Sequence, residues 1–206
     1  MKLNFPIIQR QLQDIWVWSV PSAAVIAMVI IYFSNSNQAV FLFINQQAQV
    51  VGDGLWSHFT LLGDSLVPAC LAILLLKSRA DIVWSLLLAA ILGTLFVHGF
   101  KPLFDLPRPA AVLPPDVLHI IGRTLRHHSF PSGHTTTIFT LVGVIILQTR
   151  HRGLNSFLFL LAIMVGISRC AVGAHWILDV LAGAAGGWLV AWLGILWARD
   201  YWRWKT

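Results

Sequence analysis

Apolar and polar residues alternate along this chain in long blocks, not with the short periods of a surface helix or a half-buried strand. Apolar runs cover about 15–33, 56–76, 82–100, 135–147, 154–167 and 176–197. A helix needs roughly 20 apolar residues to cross a bilayer core, so the pattern predicts six transmembrane helices. The fourth and fifth runs are short as written, and flanking residues are expected to complete them. Trp16 and Trp18 open the first run at interface level. That run is long and no Ala-x-Ala site follows it, so it is read as a retained span and not a cleaved signal. Residues 34–55 mix apolar side chains with Asn and Gln, too short and too polar to span, and are expected to lie on the membrane surface. Residues 101–133 form the longest non-spanning segment. Within it Val117, Leu118, Ile120, Ile121 and Leu125 share one side of a short predicted helix. The expected fold class is all-α: an integral membrane bundle of six transmembrane helices with a long extracytoplasmic loop between helices 3 and 4. Residues 1–206 are read as one domain, without a soluble unit or internal repeat.

Composition agrees with this. Of 206 residues 57% are hydrophobic and only 11% charged, mean hydropathy is +0.75, and there are ten Trp and no Glu. A soluble domain is typically about a quarter charged. The net charge of +6 does not point to nucleic acid, because the basic residues fall at the ends of apolar runs, where they orient spans. With six spans, Lys2 and Arg10, Lys77 and Arg79, Arg150 and Arg152, and Arg199, Arg203 and Lys205 share one side. That side, with both termini, is predicted to be cytoplasmic, in a cell (inner or plasma) membrane. Lys101, Arg108, Arg123, Arg126 and Arg169 then lie on the extracytoplasmic (periplasmic) side, against the usual bias, which invites a functional explanation. Cys70 and Cys170 have no paired spacing and read as packing residues.

Three clusters on that unfavoured side carry candidate chemistry: Lys101-x6-Arg108-Pro109, Pro131-Ser132-Gly133-His134, and Ser168-Arg169-x5-His175-x3-Asp179. Pro131 stops an upstream helix and Ser132 is a natural N-cap for the next one. The first amides of that helix suit a phosphate. Three fixed cations match a phosphate dianion: Arg forks bind oxygens in pairs and Lys adds a point charge. His175 and Asp179 are four apart, hence on one helical face. An Asp there accepts the imidazole Nδ1–H and leaves Nε2 free as a nucleophile, with His134 as general acid for the leaving oxygen. Taken singly, His175 is equally an interfacial histidine, Asp179 a helix-start acid, and Lys101 and Arg108 flanking charges. Those readings leave the joint spacing, side and residue type unexplained.

Together the clusters resemble the three-part signature of the type-2 phosphatidic acid phosphatases, lipid phosphatases related to glucose-6-phosphatase and the vanadium haloperoxidases. The resemblance covers residues 101–179 and matches in order and spacing. It implies that Lys101, Arg108 and Arg169 bind the phosphoryl oxygens, helped by Ser132 and the Gly133 amide. It implies too that His175 attacks phosphorus to give a phosphohistidine, that Asp179 orients it, and that His134 protonates the alkoxide and then activates water. Ser168 would support. No metal or other cofactor is implied. The partners are membrane lipids and a lipid phosphate substrate, with phosphatidylglycerol phosphate, phosphatidic acid and undecaprenyl diphosphate as candidates. Two other readings stay open: a lipid phosphotransferase with the same histidine chemistry, and a non-enzymatic lipid-binding or transport protein. Oligomeric state is not encoded in these features. Among lesser candidates, His127 and His128 read as a solvated loop pair, Asp105 as tempering the charge of Lys101 and Arg108, and Asp64 as a support for the pocket. Gly183 and Gly187 form a small-xxx-small packing pair.

Overall fold

The computed structural model describes residues 15–149 and 151–203. Lys2, Arg10, Arg150 and Lys205, which carry part of the orientation argument, lie outside them. The described residues form helices and no strand: α1 (Ile15–Phe33), α2 (Asn37–Val51), α3 (Asp53–Leu61), α4 (Leu66–Leu75), α5 (Ala80–Phe104), α6 (Pro109–Val112), α7 (Gly133–Ile146), α8 (Arg152–Ala171) and α9 (Ile177–Arg203).

α9 is the axis of the bundle, packing along α7, α5 and α1. Burial in lipid is not rewarded by release of water, so close backbone approach between helices has to do more of the work. Glycines on α9 provide it. A methyl on Gly183 would meet the Ser132 carbonyl oxygen at 2.7 Å, on Gly187 that of Thr136 at 2.5 Å, and on Gly194 that of Ser85 at 2.7 Å. The Thr140 hydroxyl adds a hydrogen bond to the Gly187 carbonyl at 3.1 Å. Between these contacts Leu86, Ala89, Ile138, Val142, Trp188 and Ile195 form the main core. Outward-facing Ile30, Ile73, Leu95, Leu160 and Trp197 stay exposed, as lipid-facing side chains do.

Among the described residues three helices are long and apolar enough to cross a membrane: α5 with its extension through α6, α8, and α9. Counting two bent pairs as one span each gives five. The six runs thus correspond to helices, but not to six straight spans. Flanking residues do complete the fifth run, which extends to 152–171. They do not complete the fourth. α7 has 14 residues, about 21 Å at 1.5 Å per residue, against a core of about 30 Å. It is instead enclosed by α5, α8 and α9, with ten of its residues buried. The second run is broken between α3 and α4 with a 51° bend, at Leu62–Ser65. α2 leaves α1 at 108°.

The short helix predicted around 117–125 does not form. That stretch is an extended strap whose backbone is paired elsewhere. The buried Asn45 accepts from the His119 amide at 2.9 Å and donates Nδ2 to the carbonyls of His119 at 2.8 Å, Ala171 at 3.0 Å and Cys170 at 3.2 Å. The Ile121 amide donates to the Val172 carbonyl at 3.2 Å. Leu118 and Ile121 still find apolar partners, in the clusters that hold Phe41 and Trp56 respectively, so their apolar character reports burial and not helical period.

Candidate active site

The three sequence clusters meet at one end of the bundle. Lys101 lies in the last turn of α5, which closes where the Asp105 amide donates to the Lys101 carbonyl at 3.0 Å. Arg108 follows, 5% exposed, and its guanidinium is used on every nitrogen. Nε donates to the His127 carbonyl at 2.8 Å, the NH2 nitrogen to that of His128 at 3.3 Å, and the NH1 nitrogen to that of Ala174 at 2.9 Å and to His175 Nε2 at 3.2 Å. Arg108 therefore ties the end of α5 to both other clusters.

Two residues past the end of α8, the positive φ of 76° at Gly173 lets the chain turn back so that the amides of Ala174 and His175 donate to the Arg169 carbonyl at 3.0 and 3.1 Å. This turn aims His175. Its ring is 2% exposed, with Nδ1 3.3 Å from Asp179 Oδ2. The same oxygen accepts from the Trp176 amide at 2.9 Å and from the Ser129 hydroxyl. Asp179 thus caps its own helix while it holds the imidazole. A guanidinium can only donate, so the Arg108 contact requires a lone pair on Nε2 and places the proton on Nδ1, facing Asp179. Burial pushes the His175 imidazole down to about 4; Asp179 pulls it upward, and Arg108 and Arg169 push it further down. The ring is neutral at neutral pH, in the tautomer a nitrogen nucleophile needs.

Arg169 is 7% exposed; its NH1 nitrogen donates to the Thr60 hydroxyl, and its buried Nε has no partner among the described residues. A buried donor of that kind calls for an acceptor, and a phosphoryl oxygen supplies one.

Ser132 occupies the N-cap position of α7 without the expected side-chain cap. Its hydroxyl accepts from Thr135 Oγ1 at 3.0 Å and its amide donates to the Asp179 carbonyl at 3.0 Å, which fixes α7 to α9. Gly133 and His134 open instead onto a cavity of about 430 Å³ between α4, α5 and α7, shared with Lys101, His98 and Asp64. Asp64 Oδ1 accepts from the Leu66 amide at 2.9 Å, so it starts α4 and adds negative charge to the same cavity.

Other expectations are amended. Asp105 pairs with His128 Nδ1 at 3.0 Å on the exposed loop, so its charge goes to that histidine and not to Lys101 and Arg108. His127 and His128 serve through their carbonyls. No group of three or more metal-ligating side chains occurs among the described residues. Sequence reasoning missed His98, Thr60 and Gly63. His98 sits three residues before Lys101, on the same helical face, a readable signal. Thr60 and Gly63 lie inside an apolar run, and nothing local marks them as neighbours of Arg169 and His134.

A family model described as PAP2 superfamily matches residues 82–203. The chain is 38% identical over 87 residues to YbjG of Escherichia coli (strain K12), whose name provisionally assigns it as an undecaprenyl-diphosphatase; the match covers 40% of this chain and 41% of that protein. It is 42% identical over 73 residues to the lipid A 1-phosphatase of Rhizobium etli, covering 34% and 30% of the two proteins. These matches span less than half the length of either relative. Among solved structures, LpxE of Aquifex aeolicus superposes with a TM-score of 0.71 at 32% identity, over 77% of this chain and 93% of that one.

Proposed function

This chain belongs to the PAP2 superfamily, and from that premise we propose that it is an integral membrane phosphatase. It hydrolyses a lipid phosphate or diphosphate through a phosphohistidine, with its site on the extracytoplasmic face. The observation that carries this reading is the pairing of His175 with Asp179 on Nδ1 and Arg108 on Nε2, beside the unpartnered Nε of Arg169. The Nε2 lone pair is held by Arg108 until that guanidinium turns to a phosphoryl oxygen, and it then suits attack on the phosphorus centre.

In the proposed reaction the phosphoryl oxygens lie among Lys101, Arg108 and Arg169, with the Ser132 hydroxyl and the Gly133 amide at the start of α7. Nε2 of His175 bonds to phosphorus as the bond to the lipid oxygen breaks. The imidazolium that forms is stabilised by Asp179. The substrate dianion, together with Asp64, supplies the counter-charge with which His134 takes up a proton as substrate binds, and it passes that proton to the leaving oxygen. It then takes a proton from water, whose oxygen displaces His175 and releases phosphate. Positive charge from side chains supports a metal-independent reaction. The cavity beside His134 is lined by Leu87, Ala90, Val97 and Leu141, apolar enough for a lipid tail. Six crossings, with α7 short and enclosed, put the loop holding Lys77 and Arg79 on the cytoplasmic side with both termini, and the three clusters opposite.

The test is phosphate release from a panel of lipid phosphates by detergent-purified full-length protein in EDTA, beside His175→Ala. Release that survives EDTA and disappears in the variant supports the reading. Transfer to a second lipid without free phosphate moves the phosphotransferase to the front. No turnover of any lipid, or an active variant, overturns the mechanism.

A further inference from the structure

Of the five basic residues on the unfavoured side, Lys101, Arg108 and Arg169 belong to the candidate site, while Arg123 and Arg126 have no part in it. Arg126 lines a second, open hollow of about 600 Å³ with His98, Lys101, Arg108, His127 and His128, and no carboxylate lines it. The fold uses the backbone of this segment: the Arg126 carbonyl accepts from the Arg108 amide at 2.9 Å, and the carbonyls of His127 and His128 accept from its guanidinium. The side chains at 126–128 are not needed for that. Only His128 has a charged partner, Asp105; Arg126 and Lys101 make no ion pair among the described residues. Arg126 and His127, two consecutive basic or protonatable side chains with no charged partner among the described residues, stand with Lys101 around a concavity and describe an anion site.

Its position says which anion. The hollow and the apolar cavity share His98 and Lys101, so a lipid with its tail in the cavity and its terminal phosphoryl group at His175 passes the rest of its head group across that boundary. We infer that the hollow is a second anion subsite, and that the substrate carries a further phosphate beyond the one transferred. This rests on the phosphatase reading above and narrows it to diphosphate lipids or lipids with a second phosphate on the head group. A simple lipid monophosphate leaves the subsite empty.

The experiment compares initial kcat/KM for farnesyl diphosphate and farnesyl monophosphate, which share a tail, using full-length protein in detergent. One charge-assisted hydrogen bond is worth about tenfold, so wild type should prefer the diphosphate by about tenfold or more. Arg126→Gln should lower the ratio about tenfold and Arg126→Lys should keep most of it. Arg123→Gln, outside the hollow, should leave it unchanged. A wild-type ratio near one, or an unchanged ratio in Arg126→Gln while both substrates are hydrolysed, overturns the inference and leaves the phosphatase reading intact. If neither lipid is hydrolysed, calorimetry with inorganic pyrophosphate and phosphate decides. Pyrophosphate binding about tenfold tighter than phosphate, with the difference lost in Arg126→Gln, supports the subsite; equal affinities overturn it.

Discussion

His175 and His134 occupy one site and are held by opposite means. His175 is enclosed by directional bonds, with Arg108 on one ring nitrogen, Asp179 on the other and the Arg169 carbonyl on its amide. His134 makes no side-chain hydrogen bond among the described residues and stands in a cavity wall. The broken α3–α4 pair presses its backbone against it there: a Cβ on Gly63 would lie 2.8 Å from His134 Cβ and 3.0 Å from the His134 carbonyl oxygen. The difference fits the two tasks proposed. A nucleophile needs one tautomer and one direction, which hydrogen bonds fix. A group that gives and takes protons needs access to leaving group and water, which packing from behind leaves open.

The comparison is tested hardest at Asp179. Asp179→Asn keeps the shape but turns an acceptor-only group into one that donates from one end, against Ser129, Trp176 and His175 Nδ1–H. Activity should fall on the order of 10³–10⁴-fold, read as kcat for phosphate release, with melting temperature recorded alongside. A loss under tenfold would mean that the polar network does not orient the nucleophile.

Gly63→Ala tests the other half. The added methyl must displace His134 or the α3–α4 turn, and misplacing a catalytic group by about 1 Å costs on the order of 10²-fold. Overpacking should cost about 1–3 kcal/mol of stability. If kcat is unchanged while stability drops, the close approach is structural only.

The pH dependence tests the niche of His175. With a folded pKa of about 4 against about 6.5 unfolded, His175 binds fewer protons folded than unfolded. Its neutral state therefore favours the fold fully above pH 6.5, and that contribution is lost as pH falls toward 4. Nε2 keeps its lone pair across the same window. Phosphohistidine formation in a single turnover should persist at pH 5, with its acid limb near 4. An acid limb near 6.5 would show that Nε2 is protonated like an exposed imidazole.

The readability of each niche follows from the same contrast. The i, i+4 spacing of His175 and Asp179 is local, and so is the Lys101-x6-Arg108 pair that turns off the end of α5, so the pairing around His175 was visible in the chain. Block hydropathy gave the helices, with α1 ending at Phe33 and α9 running through the last apolar run as expected. What was not visible depends on contacts between distant residues. The break at Gly63 makes sense only once His134 lies across it, and α7 remains short because neighbouring helices enclose it. Hydropathy also cannot distinguish an apolar side chain on a helix from one on a strap, which is why 117–125 was expected to be helical.

That strap supplies the mildest test, because it lies behind the nucleophile's niche without touching it. Asn45 satisfies both backbone groups of His119 and the Cys170 and Ala171 carbonyls just before the turn that aims His175. Asn45→Ala takes this partner from the His119 backbone and the Ala171 carbonyl, while the Cys170 carbonyl keeps the Gly173 amide; the loss should cost about 1–3 kcal/mol, seen as a lower melting temperature in detergent. The Arg169 carbonyl would still hold the His175 amide and Arg108 would still hold Nε2, so kcat should fall only a few-fold. A loss as large as that of Asp179→Asn would extend the nucleophile's support from its immediate bonds to the whole strap, and the contrast with His134 would then concern the scale of support more than its kind.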